Sequence, residues 1–282
     1  MLDGRKIAGA VRADVTRLAA ERAATLGHPA GLAIVHVGDD PASAVYTQRL
    51  EQTAASVGVA VQAHALPESC DERRLRDEIG RLNGDDQVQG ILMQLPLPPH
   101  LSQRVVAESI DPGKDVDGIS LGSSGNLFLR LPTFVPSTCA AVIELLDRGE
   151  IALAGRRAVV VGASNVVGKP LALMLLYRDA TVTVCHIATR DLASWTRQAD
   201  VLVVAAGRPG LVTGEMVRPG ATVIDVGINV GADGAIAGDV DQASVREIAG
   251  ALSPVPGGVG PLTNLMLLKQ CVAGPALFQQ TR

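Results

Sequence analysis

Arg157-Ala158-Val159-Val160-Val161-Gly162-Ala163-Ser164-Asn165-Val166-Val167-Gly168-Lys169-Pro170 reads as a strand, a turn and the start of a helix in one short run. The β-branched residues 159–161 form a short apolar run, the signature of a strand buried on both faces. The turn spans Gly162 to Gly168, and the helix that follows runs to about Tyr177. Further apolar runs at 181–185, 201–205 and 222–226 supply more short strands. Strands alternating with helices at this spacing build βαβ units, so the fold class is α/β with a parallel sheet. A helix opening at the turn presents unpaired N–H groups, and Ser164 and Asn165 add side-chain donors where a pyrophosphate would lie. The glycines fall as Gly-x5-Gly and not as Gly-x-Gly-x-x-Gly. Any strand-to-helix turn with two glycines matches that pattern, so the turn alone is a weak nucleotide signal.

Working outward, the same alternation recurs upstream. Residues 7–26 read as an amphipathic helix, 31–37 as a buried strand, 43–57 as a helix, 59–66 as a strand, 72–83 as a helix and 90–94 as a strand. A Gly/Ser-rich connection at 120–125 then leads towards a helix over 137–148. In Gly90-Ile91-Leu92-Met93-Gln94-Leu95-Pro96-Leu97-Pro98-Pro99 the prolines cannot continue a ladder. Gln94 therefore sits at the strand end, where open α/β sheets meet their ligands. Downstream, Pro254-Val255-Pro256-Gly257-Gly258-Val259-Gly260-Pro261-Leu262-Thr263 is a rigid loop poor in side chains. Pro261 suits the first turn of a helix over 262–272, and the loop can hold backbone N–H groups towards a ligand.

Composition narrows the function classes. The chain has 282 residues, enough for two modest domains, and is 47% hydrophobic but only 2% aromatic, so Ala, Val and Leu must fill the interior. A net charge of −4 gives no basic footprint for nucleic acid. No run of about 20 apolar residues is free of charges or breakers, which excludes a spanning helix. Met1-Leu2-Asp3-Gly4-Arg5-Lys6 lacks the apolar centre of a signal peptide. Cys70, Cys139, Cys185 and Cys271 are far apart, with no Cys-x-x-Cys, as expected of reduced thiols in a cytoplasmic protein. His28, His36, His64, His100 and His186 show no ligand spacing, so no metal is expected.

Several of these stretches, taken in order, carry a resemblance. They are Val37-Gly38-Asp39-Asp40-Pro41-Ala42-Ser43-Ala44-Val45-Tyr46, Gln94-Leu95-Pro96-Leu97-Pro98, Lys114-Asp115-Val116-Asp117-Gly118, the Val161 to Pro170 turn, and Pro256 to Thr263. Together the chain resembles the methylenetetrahydrofolate dehydrogenase/cyclohydrolase family from about Leu2 to its last helix. The resemblance implies a folate-binding domain of residues 1–134 completed by 262–282, and a Rossmann-like NAD(P)-binding domain of 135–261. It further implies a substrate cleft between them and a homodimer formed through the nucleotide domains. By the same resemblance, Tyr46 stacks on the aminobenzoyl ring and Asp117 binds the donor edge of the pterin. Gln94, Gly257, Gly258, Pro261 and Thr263 complete the expected tetrahydrofolate site. Gly162, Ala163, Ser164, Val167, Gly168, His186, Arg190, Gly207 and Ile228 are the expected dinucleotide contacts. As residues alone, Tyr46 also reads as a half-buried helix tyrosine and Asp117 as a turn-capping aspartate.

One departure bears on activity. The family pattern is Tyr-x-x-x-Lys, with the lysine as acid/base residue of the hydrolytic step; here the run is Tyr46-Thr47-Gln48-Arg49-Leu50. Four residues on is the same helix face, whereas Arg49 is displaced by about 100° and stays protonated. The chain has only four lysines, Lys6, Lys114, Lys169 and Lys269. Leucine cannot transfer protons, so dehydrogenation is expected to survive and cyclohydrolase activity to be impaired or lost. A second departure is Val135-Pro136-Ser137-Thr138-Cys139-Ala140-Ala141, where the family reads Pro-Cys-Thr-Pro-x-Gly. For the cofactor, the end of the second strand of the nucleotide domain reads Cys185-His186-Ile187-Ala188-Thr189-Arg190, without the carboxylate that NAD pockets place there. The missing carboxylate favours NADP over NAD, although Ile187 stands where NADP-using relatives of the family have Ser or Arg, and Arg190 reads equally as a group reaching a 2′-phosphate or as a solvated surface arginine. A paralogue acting on another folate or pterin-like substrate, and a catalytically silent folate- or nucleotide-binding protein, are the other readings of these residues.

Overall fold

The structure is a computed structural model that describes residues 1–231 and 234–275. Residues 276–282, part of the segment assigned above to the folate domain, lie outside the described residues. The chain divides into two compact units, Ala10–Ser137 with the chain from Asn264 onward, and Met1–Gly9 with Thr138–Thr263.

The first unit takes most of α1 (Gly4–Leu26), then β1 (Gly31–Val37), α2 (Pro41–Val57), β2 (Ala60–Leu66), α3 (Glu72–Asn83), β3 (Gly90–Met93), α4 (Gln103–Ser109) and α5 (Leu121–Phe128). Its sheet runs β2-β1-β3, all parallel, with Val35 paired to His64 on one side and to Met93 on the other. Alternate residues of the strands face opposite ways. Ala33, Val35, Ile91 and Met93 bury one face against Leu75, Ile79 and Leu82 of α3 and Val105 and Val106 of α4. Those three α3 residues recur at helical spacing, and Asp71 caps the helix by accepting from the Arg74 N–H at 2.8 Å.

The Gly/Ser-rich stretch at 120–125, read from sequence as a connection, is instead the first part of α5. Ser120 caps this helix through the Ser123 N–H at 3.1 Å, and Leu127 is buried beneath it. Gly122 is there because a Cβ would stand 2.2 Å from the Pro112 ring. Composition missed the helix because a cap and close packing outweigh the low helix propensity of Gly and Ser.

Besides Met1–Gly9, the second unit takes α6 (Ser137–Arg148) from Thr138 onward and continues through β4 (Arg157–Val161), α7 (Gly168–Leu176), β5 (Thr181–Cys185), α8 (Leu192–Thr196), β6 (Val201–Val204) and β7 (Thr222–Asp225). A short antiparallel hairpin, β8 (Asn229–Val230) and β9 (Ile236–Ala237), precedes α9 (Gln242–Arg246), β10 (Ala251–Leu252) and α10 (Gly260–Ala273), whose later residues count with the first unit. The main sheet is parallel throughout, in the order β10-β7-β6-β4-β5. The Gly-x5-Gly spacing has a packing cause. A Cβ on Gly162, whose φ is +124°, would lie 2.1 Å from the Ala205 carbonyl oxygen, and one on Gly168 would lie 2.0 Å from that of Gly162. The two glycines let β4, the end of β6 and the start of α7 converge. Met1–Gly9 join this unit through backbone bonds, Leu2 N–H to Leu252 O and Gly4 N–H to Gly257 O, both 2.9 Å. Among the described residues no helix is long and apolar enough to cross a membrane.

Candidate active site

In the first unit the site is built on α2, the end of β3 and the turn after α4. Asp40 caps α2 by accepting from both the N–H and the hydroxyl of Ser43 at 2.8 Å. Ser43, Tyr46, Thr47 and Leu50 then recur at helical spacing along one side of α2. Gln94 leaves β3 with its N–H on the Val35 carbonyl at 2.9 Å. Its amide Nε2 donates to Thr47 Oγ1 at 2.5 Å and to the Ser43 carbonyl at 3.3 Å, fixing the side chain against α2. Gln94 is 7% exposed, yet its Oε1 is buried without a partner. Leu50 is fully buried one turn beyond Thr47. Thr47 escaped the sequence reading; the signal was its place four residues after Ser43.

A bridge from Asp115 to Ile91 lays the 111–118 turn along β3, and the Ile91 N–H reaches the Lys114 carbonyl at 2.6 Å. Two of the three carboxylates of this turn, Asp115 and Asp117, do different work. Asp115 is fully buried and accepts from the N–H groups of Ile119 and Ser120 at 3.1 and 2.7 Å, which shapes the turn. Asp117 is only partly buried by its surface and holds Ser137, whose N–H and hydroxyl donate to its Oδ1 at 2.9 and 2.7 Å. Burial pushes the Asp117 carboxyl up to about 6, against the pull of the Ser137 bonds, and the Asp115 charge adds to the rise. The Tyr46 phenol is also pushed up, by burial first and then by the Asp117 charge, which places these two side chains within electrostatic reach. Lys114 points elsewhere: its Nζ caps α3 through the carbonyls of Leu82 and Asp85 at 3.1 and 2.7 Å.

In the second unit the expected dinucleotide residues gather at the C-terminal edge of the parallel sheet, after β4, β5, β6 and β7. Ala163 and Val167 lie in the turn between β4 and α7. Ser164 braces the turn: its Oγ accepts from the N–H groups of Val167 and Gly168 at 3.1 and 3.4 Å. Asn165 Oδ1 takes Lys169 Nζ at 2.7 Å, so that lysine is engaged too. After β5, His186 Nδ1 accepts from the Ala188 N–H at 3.1 Å in a tight turn that leaves Ile187 98% exposed and Arg190 exposed.

Gly207 belongs to a turn that the sequence reading did not explain. The N–H groups of Ala206, Gly207 and Arg208 all donate to the Asp239 carboxylate, at 2.6, 2.9 and 2.9 Å, and Asn229 Nδ2 joins them at 2.9 Å. Asp239 is fully buried, and its own N–H donates to Asp225 Oδ1 at 2.9 Å. Asp225, 1% exposed, also accepts from Val240 N–H and Gln242 Nε2 at 3.1 Å; burial pushes it up to about 6 while these bonds pull it down. The legible signal was a carboxylate closing an apolar strand and a second one after Gly238. These residues fit a dinucleotide: a Cβ on Gly207 would meet open space, and Ile228, 65% exposed beyond β7, is an uncovered apolar surface at the same edge.

Gly257 and Gly258 fall in the second unit, where their need for glycine is internal. Gly257 has φ +117° and faces the Arg5 guanidinium, and a Cβ on Gly258 would stand 2.6 Å from the Pro254 carbonyl. Pro261 lies in the first turn of α10, and the Thr263 hydroxyl reaches the Val259 carbonyl at 3.5 Å.

Comparison with known proteins accords with both halves. Residues 2–117 match the tetrahydrofolate dehydrogenase/cyclohydrolase catalytic domain, and residues 136–277 match the NAD(P)-binding domain of the same family. A protein of Bordetella petrii called bifunctional protein FolD is 50% identical over 272 residues, covering 96% of this chain and 92% of the relative. The crystal structure of the bifunctional FolD dehydrogenase/cyclohydrolase of Campylobacter jejuni superposes with a TM-score of 0.93 at 43% identity, covering 96% of each chain. The Trypanosoma brucei dehydrogenase-cyclohydrolase, solved with NADP and an inhibitor, gives 0.89 at 38% identity over 95% of this chain and 94% of that one. With the family's catalytic and NAD(P)-binding domains both matched, this chain belongs to the tetrahydrofolate dehydrogenase/cyclohydrolase family.

Proposed function

We propose that the protein oxidises 5,10-methylenetetrahydrofolate to 5,10-methenyltetrahydrofolate with NADP in preference to NAD, and that hydrolysis to 10-formyltetrahydrofolate is impaired or lost. The observation that supports this reading is Gln94 bonded to Thr47, next to Tyr46 on α2, with the Tyr46 phenol feeling the Asp117 charge and fully buried Leu50 where the family pattern has a lysine.

Oxidation removes hydride from the N–CH₂–N carbon, driven by a nitrogen lone pair, and leaves a delocalised cation. Such a step needs alignment more than a base. Asp117, braced on one oxygen by Ser137, receives the donor edge of the pterin; Tyr46 stacks on the aminobenzoyl ring; and Gln94 borders the reacting carbons. Bound NADP supplies hydride acceptance. The Gly162 to Gly168 turn, with Ser164 and Asn165, holds its pyrophosphate, while His186 and Arg190 face the adenosine end, where Arg190 meets the 2′-phosphate. Gly207 and Ile228 border the nicotinamide. The folate-binding role thus falls to the Ala10–Ser137 unit, and the protein works as a cytoplasmic homodimer.

The second step adds water to the methenyl cation and then opens the ring, with proton transfers at each stage. Leu50 offers no proton-transferring atom, and Lys114 and Lys169 are committed to Leu82, Asp85 and Asn165. General acid/base catalysis contributes about 10²–10⁴-fold, which is the scale of the expected deficit. The test follows methenyltetrahydrofolate by absorbance with NAD and NADP in parallel. Absence of product with either dinucleotide overturns the reading. Hydrolysis by the wild type at a rate comparable to oxidation overturns its second half.

A further inference from the structure

Gln94 Oε1 has a counterpart next door. One residue beyond the last β1–β3 pair, Val35 with Met93, stand His36 and Gln94. Val35 and Met93 turn towards α3, so the next residue on each strand turns to the opposite face, which is the face that carries Gln94 to α2. His36 and Gln94 are thus lateral neighbours on strands about 4.8 Å apart. Both bear a buried polar atom without a partner: Nδ1 of His36 and Oε1 of Gln94. One is a ring nitrogen able to donate, the other a carbonyl oxygen able only to accept. A lone buried acceptor is costly, and a donor and an acceptor on adjacent strands that make no direct bond satisfy each other through one bridging water.

We propose that His36 is the positioning residue for Gln94 in this chain, its Nδ1–H serving Oε1 through a bridging water, in the place left by Leu50. This rests on the reading of Tyr46, Gln94 and Asp117 as the folate site. Nε2 of Gln94 is already fixed by Thr47 and Ser43, so a donor on Oε1 locks the amide plane that faces substrate.

The experiment compares dehydrogenase kinetics of wild type, His36→Leu, His36→Asn, and His36→Leu combined with Leu50→Lys. His36→Leu is expected to raise the KM for methylenetetrahydrofolate about tenfold, the scale of one buried neutral hydrogen bond, with kcat and the dinucleotide KM little changed. His36→Asn keeps a donor near the Nδ1 position and restores most of the loss. Leu50→Lys supplies an ammonium donor and restores it in the His36→Leu background. An unchanged KM in His36→Leu overturns the proposal and leaves the folate reading standing. A raised KM that neither His36→Asn nor Leu50→Lys relieves marks a purely structural role and overturns it as well. A wild type that neither turns over nor binds methylenetetrahydrofolate by calorimetry overturns the folate reading, and this proposal with it.

Discussion

At the scale of single residues, the proposed imbalance between the two chemical steps rests on position 50. A fully buried leucine contributes packing and no proton. Leu50→Lys is expected to raise methenyltetrahydrofolate hydrolysis by about 10²-fold or more while oxidation changes less, as read by stopped-flow absorbance. Asp117 gives a second prediction. Its carboxyl, held up at about 6, is protonated in mildly acid solution, and in the proposed folate site it would then accept pterin donors poorly. The KM for folate should therefore fall as pH rises from 5 to 7, and Asp117→Asn should flatten that profile. The folding linkage has the opposite sign. A carboxyl whose folded value lies above its ordinary 3.8 contributes stability below that value, and the contribution is lost as pH rises through about 6. Binding of folate and folding thus pull on the same proton in different directions.

At the scale of elements, the site depends on turns held by buried polar groups more than on strand patterns. Helix α5 exists because Ser120 caps it, and Ser120→Ala should cost about 1 kcal/mol, measurable as a shift of the denaturant midpoint. The turn after β6 depends on Asp239, which gathers three consecutive N–H groups. Asp239→Asn keeps the size but replaces one acceptor oxygen with a donor facing those N–H groups. It should raise the KM for dinucleotide at least several-fold while the KM for folate stays close to wild type. Steady-state kinetics with each substrate varied in turn separates the two.

At the scale of the whole molecule, the chain forms its interior from aliphatic residues, with aromatics only 2% of the sequence. Ligand binding should add visibly to stability: NADP at 100 times its Kd should contribute about 2.7 kcal/mol, seen as a raised midpoint in chemical denaturation, and NAD less at equal concentration. Much of this architecture was legible beforehand. Strands at 31–37 and 181–185 and helices at 72–83 and 137–148 coincide with the observed elements, because a strong apolar period needs only neighbours in sequence to show itself. The sequence by itself determined the α/β class, the family, the Gly-x5-Gly turn and the presence at position 50 of a leucine, which has no proton-transferring atom, all properties of residue type and spacing. Only the tertiary structure decided that Ser120 starts a helix, that Asp239 ties down the Gly207 turn and that Lys114 is spent on α3. Only it set Gln94 beside His36 with an unpaired atom on each. Apart from the Ser120 cap, which acts within a single turn, those are pairings between residues far apart in sequence, and a buried polar atom acquires its partner, or its lack of one, when strands and turns are brought together.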